Sequence, residues 1–168
     1  GNTVNFVNGA ALDTDYKKFG TTSAQFDGSN DTVSIPYMSE TEFGSIDFTI
    51  EGWFRSQAAG NQIICSQGNG ANGFWILINP GTDTLSFRPY GTVSYDSQMT
   101  SQTINQDQWH HFAVSKSGTT SYLWIDGAGG TTATHNGGLE NDANTAFTIG
   151  GYYAGNSYFN GHIDEFRF

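Results

Sequence analysis

The sequence predicts an all-β protein, two antiparallel sheets stacked face to face, and three observations lead there. Apolar and polar residues alternate at a period of two in segment after segment, the pattern of strands buried on one face. Turn signals separate these segments at intervals of roughly 8–12 residues, the spacing of a sandwich. Aromatics make up 15% of the 168 residues, and 22 glycines stand against three prolines, a composition that suits strands and tight bends. This length can bury a sizeable core, so 1–168 reads as one domain.

The elements follow in chain order. "SAQFDG" and "DTVSIP" read as short strands around a turn at Asp27-Gly28-Ser29-Asn30. "MSETEFGS" offers at most one helical turn. In "DFTIEGWFRS" the alternation puts Phe48, Ile50, Gly52 and Phe54 toward the core. Gly68-Asn69-Gly70-Ala71-Asn72-Gly73 reads as a hairpin turn, because it lacks the Lys-Ser/Thr and following helix of a phosphate loop. "GFWILIN" and "TLSFRPY" flank the turn Pro80-Gly81-Thr82-Asp83. "QTINQDQ" is polar and reads as a loop. "WHHFAVSK" and "SYLWID" flank Ser117-Gly118-Thr119-Thr120 as a second hairpin, and Asp126-Gly127 supplies a further tight turn. "AFTIGGYY" and "NGHIDEFRF" end the chain, with the N- and C-terminal segments expected to pair and to bring Phe26 near Phe166.

Charge narrows the function classes. Net charge is −10, with three lysines and three arginines scattered along the chain. A nucleic-acid partner needs a basic footprint to neutralise phosphate, and none is present. Anionic membranes would be avoided, and no apolar run reaches the ~18 residues of a membrane span. The one cysteine, Cys65, follows Ile63-Ile64 and reads as a buried apolar thiol, with no CxxC partner. "GNTVNFVNG" has neither region of a signal peptide, so the sequence reads as a mature protein or an excised domain.

Four segments, "SAQFDGSNDTVSIP", "FTIEGWFRS", "WHHFAVSKSGTTSYLWIDG" and "FTIGGYY…YFNGHIDEFRF", come in the order and at about the spacing of laminin-G-like domains. From about Ser23 to Phe168 the chain resembles these jelly rolls of the concanavalin A-like lectin/glucanase superfamily. The resemblance implies a two-sheet jelly roll, and a role as a ligand-binding or accessory module more often than as a glycan hydrolase. Trp109-His110-His111 resembles the strand-opening "WHH" of the family. Alternation sets His110, Phe112 and Val114 on one face and Trp109, His111 and Ala113 on the other, so the two histidines are not placed to chelate one metal.

Some relatives hold a structural Ca²⁺ on the outer surface where the first and last strands meet. Carried over, Asp164 of "HIDEFRF" and Asp27 of "FDGSND" become the expected ligands, supplying part of the oxygen shell that calcium needs. The alternative is that Asp27 closes an Asx-turn and Asp164 bonds nearby backbone.

Retaining glucanases of this fold resemble one another in an E-x-D-x-x-E strand, where paired carboxylates do the chemistry. Here Glu140-Asn141-Asp142-Ala143-Asn144-Thr145 lacks the final Glu, Glu51 stands alone, and neighbouring Asp164 and Glu165 point apart. No serine-nucleophile elbow is present. The expectation is a protein without catalytic residues.

For sugar recognition, flat aromatics stack on the apolar face of a pyranose while polar tips bond its rim. Candidates are Trp75, Tyr90, Tyr95, Tyr152, Tyr153 and Tyr158, with His135, Asn136 and Asn156 as polar partners. Each could equally be amphipathic cover on a sheet. The leading expectation is a lectin-like adhesion module that binds glycans or cell-surface polysaccharide. Its Thr-, Ser-, Gly- and Asn-rich composition resembles bacterial surface proteins and phage tail-fibre or other virion proteins, an extracellular setting. A structural module contacting other protein subunits of a fibre, and a glycan hydrolase with an atypical carboxylate pair, are the competing expectations.

Overall fold

The computed structural model describes residues 3–44, 46–68, 72–90, 99–134, 145–152 and 155–168. The strands, in chain order, are β1 (Asn5–Val7), β2 (Ala11–Asp13), β3 (Ser23–Asp27), β4 (Thr32–Ile35), β5 (Phe48–Ser56), β6 (Gln62–Gly68) and β7 (Gly73–Ile78). They continue as β8 (Thr84–Tyr90), β9 (Met99–Thr103), β10 (His110–Ser117), β11 (Thr120–Ile125), β12 (Ala128–Thr134), β13 (Phe147–Ile149) and β14 (Asn160–Arg167). Among the described residues they form two seven-stranded sheets. Sheet one runs β1-β4-β13-β6-β7-β8-β9, and sheet two runs β12-β11-β10-β5-β14-β3-β2. Every pairing is antiparallel, so the two-layer sandwich read from the alternation is the observed architecture.

The inner faces meet in a layer of phenylalanine. Phe26, Phe54, Phe74, Phe87, Phe112, Phe147 and Phe159 are all essentially inaccessible. Their rings meet edge-on or tilted, as in Phe26–Phe159 (79°) and Phe54–Phe159 (82°), the arrangement that ring quadrupoles favour over face-to-face contact. In β5 the residues read as inward, Ile50, Gly52 and Phe54, are buried, and Phe48 packs against the core. Cys65 is fully buried, as expected, and burial pushes its thiol well above the ordinary value. A register shift in the β6–β7 pair at Ile63/Cys65 lets Ile64 and Cys65 both sit at 0% exposure.

The hairpins read from the sequence are present: β7–β8 around Pro80–Asp83 and β10–β11 around Gly118–Thr119. β11–β12 turns at Asp126 (φ 50°) and Gly127 (φ 76°), the two left-handed residues of a type I′ turn. Gly68 pairs with Gly73, closing the β6–β7 ladder, although 69–71 lie outside the described residues.

The turn read at 27–30 is present between β3 and β4, and it carries the chain from one sheet to the other, since the two strands never pair. Three readings are corrected. "QTINQDQ" is not all loop: Gln102 and Thr103 belong to β9, and Ile104 plugs the core at 4% exposure, a burial that its polar neighbours obscure. The segments around 5–7, 11–13 and 128–134, not read as strands, form β1, β2 and β12 at sheet edges. Edge strands have only one neighbour to satisfy, so they need little apolar patterning. Finally, β3 and β14 pair as expected, but Phe26 lies opposite Gly161 and not near Phe166. Phe166 follows a bulge in β14 and joins Phe112, Phe147 and Phe168 instead.

The expected helical turn is a 3-10 helix, Ser39–Thr41. Phe54→Ala should cost about 3–5 kcal/mol, since it removes a ring from the middle of this layer. Chemical denaturation of the variant, with the m-value held constant, checks it.

Candidate functional site

The inner faces are consumed by the core, so any site must lie on an outer face or in the connecting loops. On β7 the alternation that sends Phe74, Ile76 and Ile78 inward sends Trp75 and Leu77 outward. Trp75 stands opposite Arg88 of β8, and Leu77 opposite Ser86, so one patch of the outer face of sheet one is apolar in the middle and polar at its edge. The Tyr90 ring lies 4.8 Å from Trp75, tilted 39°. From the other side Tyr152 meets Trp75 edge-on, at 5.2 Å and 81°.

Tyr152 is held there by the 150–159 loop, which hydrogen bonds fasten to β6. The Gly150 amide donates to the Ile64 carbonyl (2.8 Å), the Ser66 hydroxyl to the Gly151 carbonyl (2.9 Å) and the Ile63 amide to the Ser157 carbonyl (2.8 Å). Asn61 Nδ2 donates to Ser157 Oγ at 2.6 Å. Gly150 has φ +84°, and any Cβ there would run into the Phe26 ring, so the loop can leave β13 only through glycine. The result is a recess of about 80 Å³ with a floor of Ile63, Trp75 and Leu77. Tyr152, Asn156, Asn61, Ser157 and Arg88 form its rim. This is well below the roughly 300–1,000 Å³ of sites that enclose a drug-sized ligand. It suits a single ring or substituent, leaving a longer molecule to run across the sheet.

Arg88 is oriented by Asn79. The guanidinium donates to Asn79 Oδ1, while Asn79 Nδ2 donates to the Thr84 carbonyl (3.0 Å) and to the Ser86 hydroxyl. Burial pulls the Arg88 guanidinium down from its ordinary value. No carboxylate is among the described residues that line the recess.

Of the residues singled out in the sequence, the structure brings together Trp75, Tyr90, Tyr152 and Asn156. Tyr158 does not join them; it packs inside its own loop, where a Cβ on Gly151 would stand 2.9 Å from its ring. Tyr95, His135, Asn136 and Tyr153 lie outside the described residues. Sequence reading missed Asn61, Ile63, Leu77, Arg88 and Ser157. Leu77 and Arg88 carried a signal, since they sit two residues from Trp75 and Tyr90 and therefore on the same face. Asn61 and Ser157 carried none, because only loop packing brings them there.

The two expected calcium ligands do not stand side by side, and each carboxylate has partners within the chain. Asp27 lies opposite Asn160 in the β3–β14 ladder, and Asp164 is four residues further along, about 13 Å at the rise of a strand. Asp27 Oδ1 accepts the Ser29 amide at 2.7 Å, an Asx-turn. Asp164 has another task. Its Oδ2 accepts the amides of Lys18 (2.9 Å) and Phe19 (3.0 Å), and its Oδ1 accepts the Glu165 amide (2.8 Å). It fastens the 14–22 segment across the outer face of sheet two, where the Lys18 ammonium lies 4.1 Å from the Trp53 ring and Arg55 lies 4.5 Å from Tyr16. Below it His162, 1% exposed, bonds Asp13 at 2.8 Å through Nε2. The Asp13 carboxyl lies below its ordinary value, chiefly because it accepts the Asp15 amide, with His162 adding to the effect.

The two histidines of "WHH" face opposite ways, as the alternation requires. His110 is buried, its Nδ1 2.7 Å from Asp126 and its Nε2 3.1 Å from the Asn105 carbonyl. His111 faces outward beside Glu51 (3.5 Å) and Trp53. Among the described residues no group of three or more His, Cys, Asp or Glu side chains is placed to hold a metal.

The sequence matches the laminin G family of the concanavalin A-like lectin/glucanases superfamily over residues 27–168, and the chain belongs to it. No curated protein matches the chain significantly. Among solved structures it is similar to domain 4 of AbnA, a GH43 extracellular arabinanase from Geobacillus stearothermophilus, in complex with arabinotriose. That likeness has a TM-score of 0.72 at 15% identity, covering 99% of this chain and 80% of that one. It is similar to domains LG4-5 of the mouse laminin alpha1 chain (0.68, 21%), covering 86% of this chain and 40% of that one. It is also similar to the Ruminococcus gnavus IT-sialidase CBM40 bound to alpha2,3 sialyllactose (0.60, 14%), covering 83% and 85%. At these identities the likeness is one of fold.

Asp164→Ala should destabilise the protein by about 1–3 kcal/mol, because the Lys18 and Phe19 amides lose a charged acceptor. Thermal unfolding checks it, and the difference from wild type should be the same with and without EDTA.

Proposed function

We propose that this chain is a non-catalytic recognition module that binds glycans at the Trp75 recess. The observation that carries the reading is the convergence there of Trp75 and Tyr152, with Tyr90 packed against Trp75, beside an arginine and two asparagines. A pyranose has apolar C–H faces and a polar rim, and this recess offers the complementary arrangement. The neighbours with sugars bound, the AbnA domain with arabinotriose and the CBM40 with sialyllactose, support a sugar as the ligand of this fold. Hydrolysis would need a pair of carboxylates flanking the bond, and the recess has none among its described lining residues. Glu51 lies on the other sheet beside His111 and Arg167. A setting outside the cell, on a surface or a virion, belongs to this same proposal.

Trp75→Ala should weaken binding of any glycan hit by tenfold or more, about 1.4 kcal/mol, while the circular dichroism stays that of a β protein. A glycan array followed by calorimetry on both proteins measures it; no binding to any glycan at high protein concentration overturns the reading.

One observation favours a second role in assembly. Val4, Phe6 and Leu12 are 50%, 44% and 62% exposed. Phe6 and Leu12 sit on β1 and β2, the terminal strands of the two sheets. Apolar side chains on open edges suit contacts with other protein subunits. Sedimentation should then show concentration-dependent association that Phe6→Ser and Leu12→Ser together reduce; a monomer at all concentrations rules out self-association through this edge.

A further inference from the structure

We infer that the chain carries a second glycan site, on the outer face of sheet two, where Tyr122 and Trp124 take a neutral saccharide chain. This site shares no residue with the Trp75 recess, so either can fail alone. The 14–22 segment covers the same face around β5 and β14, through Trp53, Arg55, His162 and Asp164. Beside it, the outward set of β10 and β11 follows from the inward one. Val114, Leu123 and Ile125 are buried, so Ala113, Ser115, Tyr122 and Trp124 point out, each half-buried.

The two aromatic rings are near-parallel, with centroids 5.6 Å apart and planes at 18°. Their neighbours across the ladders are small or polar. Tyr122 lies opposite Ser115, and Trp124 lies opposite Ala113 on one side and Gly129 on the other. One strand further, Thr49 and Glu51 continue these two rows, so each row spans about 10 Å over three strands. The polar tips are unused. The Tyr122 hydroxyl, the Trp124 Nε1–H and the hydroxyls of Thr49 and Ser115 have no hydrogen-bond partner among the described residues. At the end of the Tyr122 row a shallow groove of about 450 Å³ opens, lined by Asp47, Thr49, Ser115 and Ser117. Aromatic faces beside hydroxyl-bearing edges match the C–H face and polar rim of a pyranose.

Charge selects the class of saccharide. Asp47 closes the groove, accepting the Gly118 amide at 2.7 Å and the Ser117 hydroxyl at 3.2 Å. Lys116 is the one cation among the described lining residues; it is 2% exposed and donates inward to the Ile46 carbonyl at 3.0 Å. An anionic sugar would meet Asp47 with no cation turned toward it, in a chain of net charge −10. Neutral hydroxyls meet both donors and acceptors there. Sites on opposite outer faces would let one domain bridge two polymer chains.

The experiment titrates the 168-residue chain and its Trp75→Ala variant by calorimetry. The probes are cellohexaose, xylohexaose, mannohexaose, arabinohexaose and a galactan hexamer, with oligogalacturonate and its methyl ester as the charged comparison. Trp75→Ala should retain binding of at least one neutral oligosaccharide. Adding Trp124→Ala should weaken that binding about tenfold or more. Adding Ser115→Ile instead, which fills the trough beside Tyr122 and leaves both rings, should do the same, and it decides the matter if Trp124→Ala fails to fold. The acid should bind Trp75→Ala no more tightly than its ester. If no neutral oligosaccharide binds Trp75→Ala, or one binds and neither added change weakens it, the inference is wrong; binding by the unmodified chain that Trp75→Ala removes then leaves the recess reading standing. Binding that Trp124→Ala removes and Trp75→Ala does not supports this site and sinks the recess. An acid that binds Trp75→Ala more tightly than its ester overturns the assignment to neutral saccharides.

Discussion

The layer of phenylalanine rings between the two sheets is the constraint from which the other features follow. Seven buried rings, drawn from strands of both sheets and from the 150–159 loop, fill the interior. Close packing at this density fixes which face of each strand points in. Because strand alternation is binary, it thereby fixes which face points out. Trp75 and Arg88 are outward because Phe74, Ile76 and Phe87 are inward. The same choice on β10 separates His110 from His111.

The connections are governed by that core as well. The 150–159 loop contributes Phe159 to the interior and passes the Phe26 ring at a glycine, and between those points its backbone is tied to β6. Tyr152 and Asn156 are therefore presented between anchors at Gly150, Gly151, Ser157 and Phe159. Ser157, with φ +60°, holds a left-handed backbone that costs a non-glycine residue roughly 1 kcal/mol or more, and its carbonyl and hydroxyl make the contacts to Ile63 and Asn61 that close the recess rim. Preorganisation of this kind lowers the ordering cost of binding.

The outer faces of the two sheets have been put to different uses. On sheet two the 14–22 segment is pinned by Asp164 and covers the face around β5 and β14, with Lys18 over the Trp53 ring and Tyr16 against Arg55 and His162. On sheet one the aromatic cluster around Trp75 borders a recess instead.

The sequence by itself determined the two-layer β architecture, the hairpins at Pro80–Asp83 and Asp126-Gly127, the inward set of β5 and β10, and the burial of Cys65. These are local: period-two alternation and turn chemistry involve residues within a few positions of one another. It also marked Trp75, Tyr90, Tyr152 and Asn156 as candidates. Only the tertiary structure decided that these four meet, that Arg88 and Asn61 stand with them, and that Tyr158 turns inward. That Asp164 clasps the amides of Lys18 and Phe19 could not be read either, because those partners lie some 145 residues earlier in the chain. Such contacts depend on the order in which strands are laid into sheets, and a pattern that repeats every two residues contains no record of which strand lies beside which.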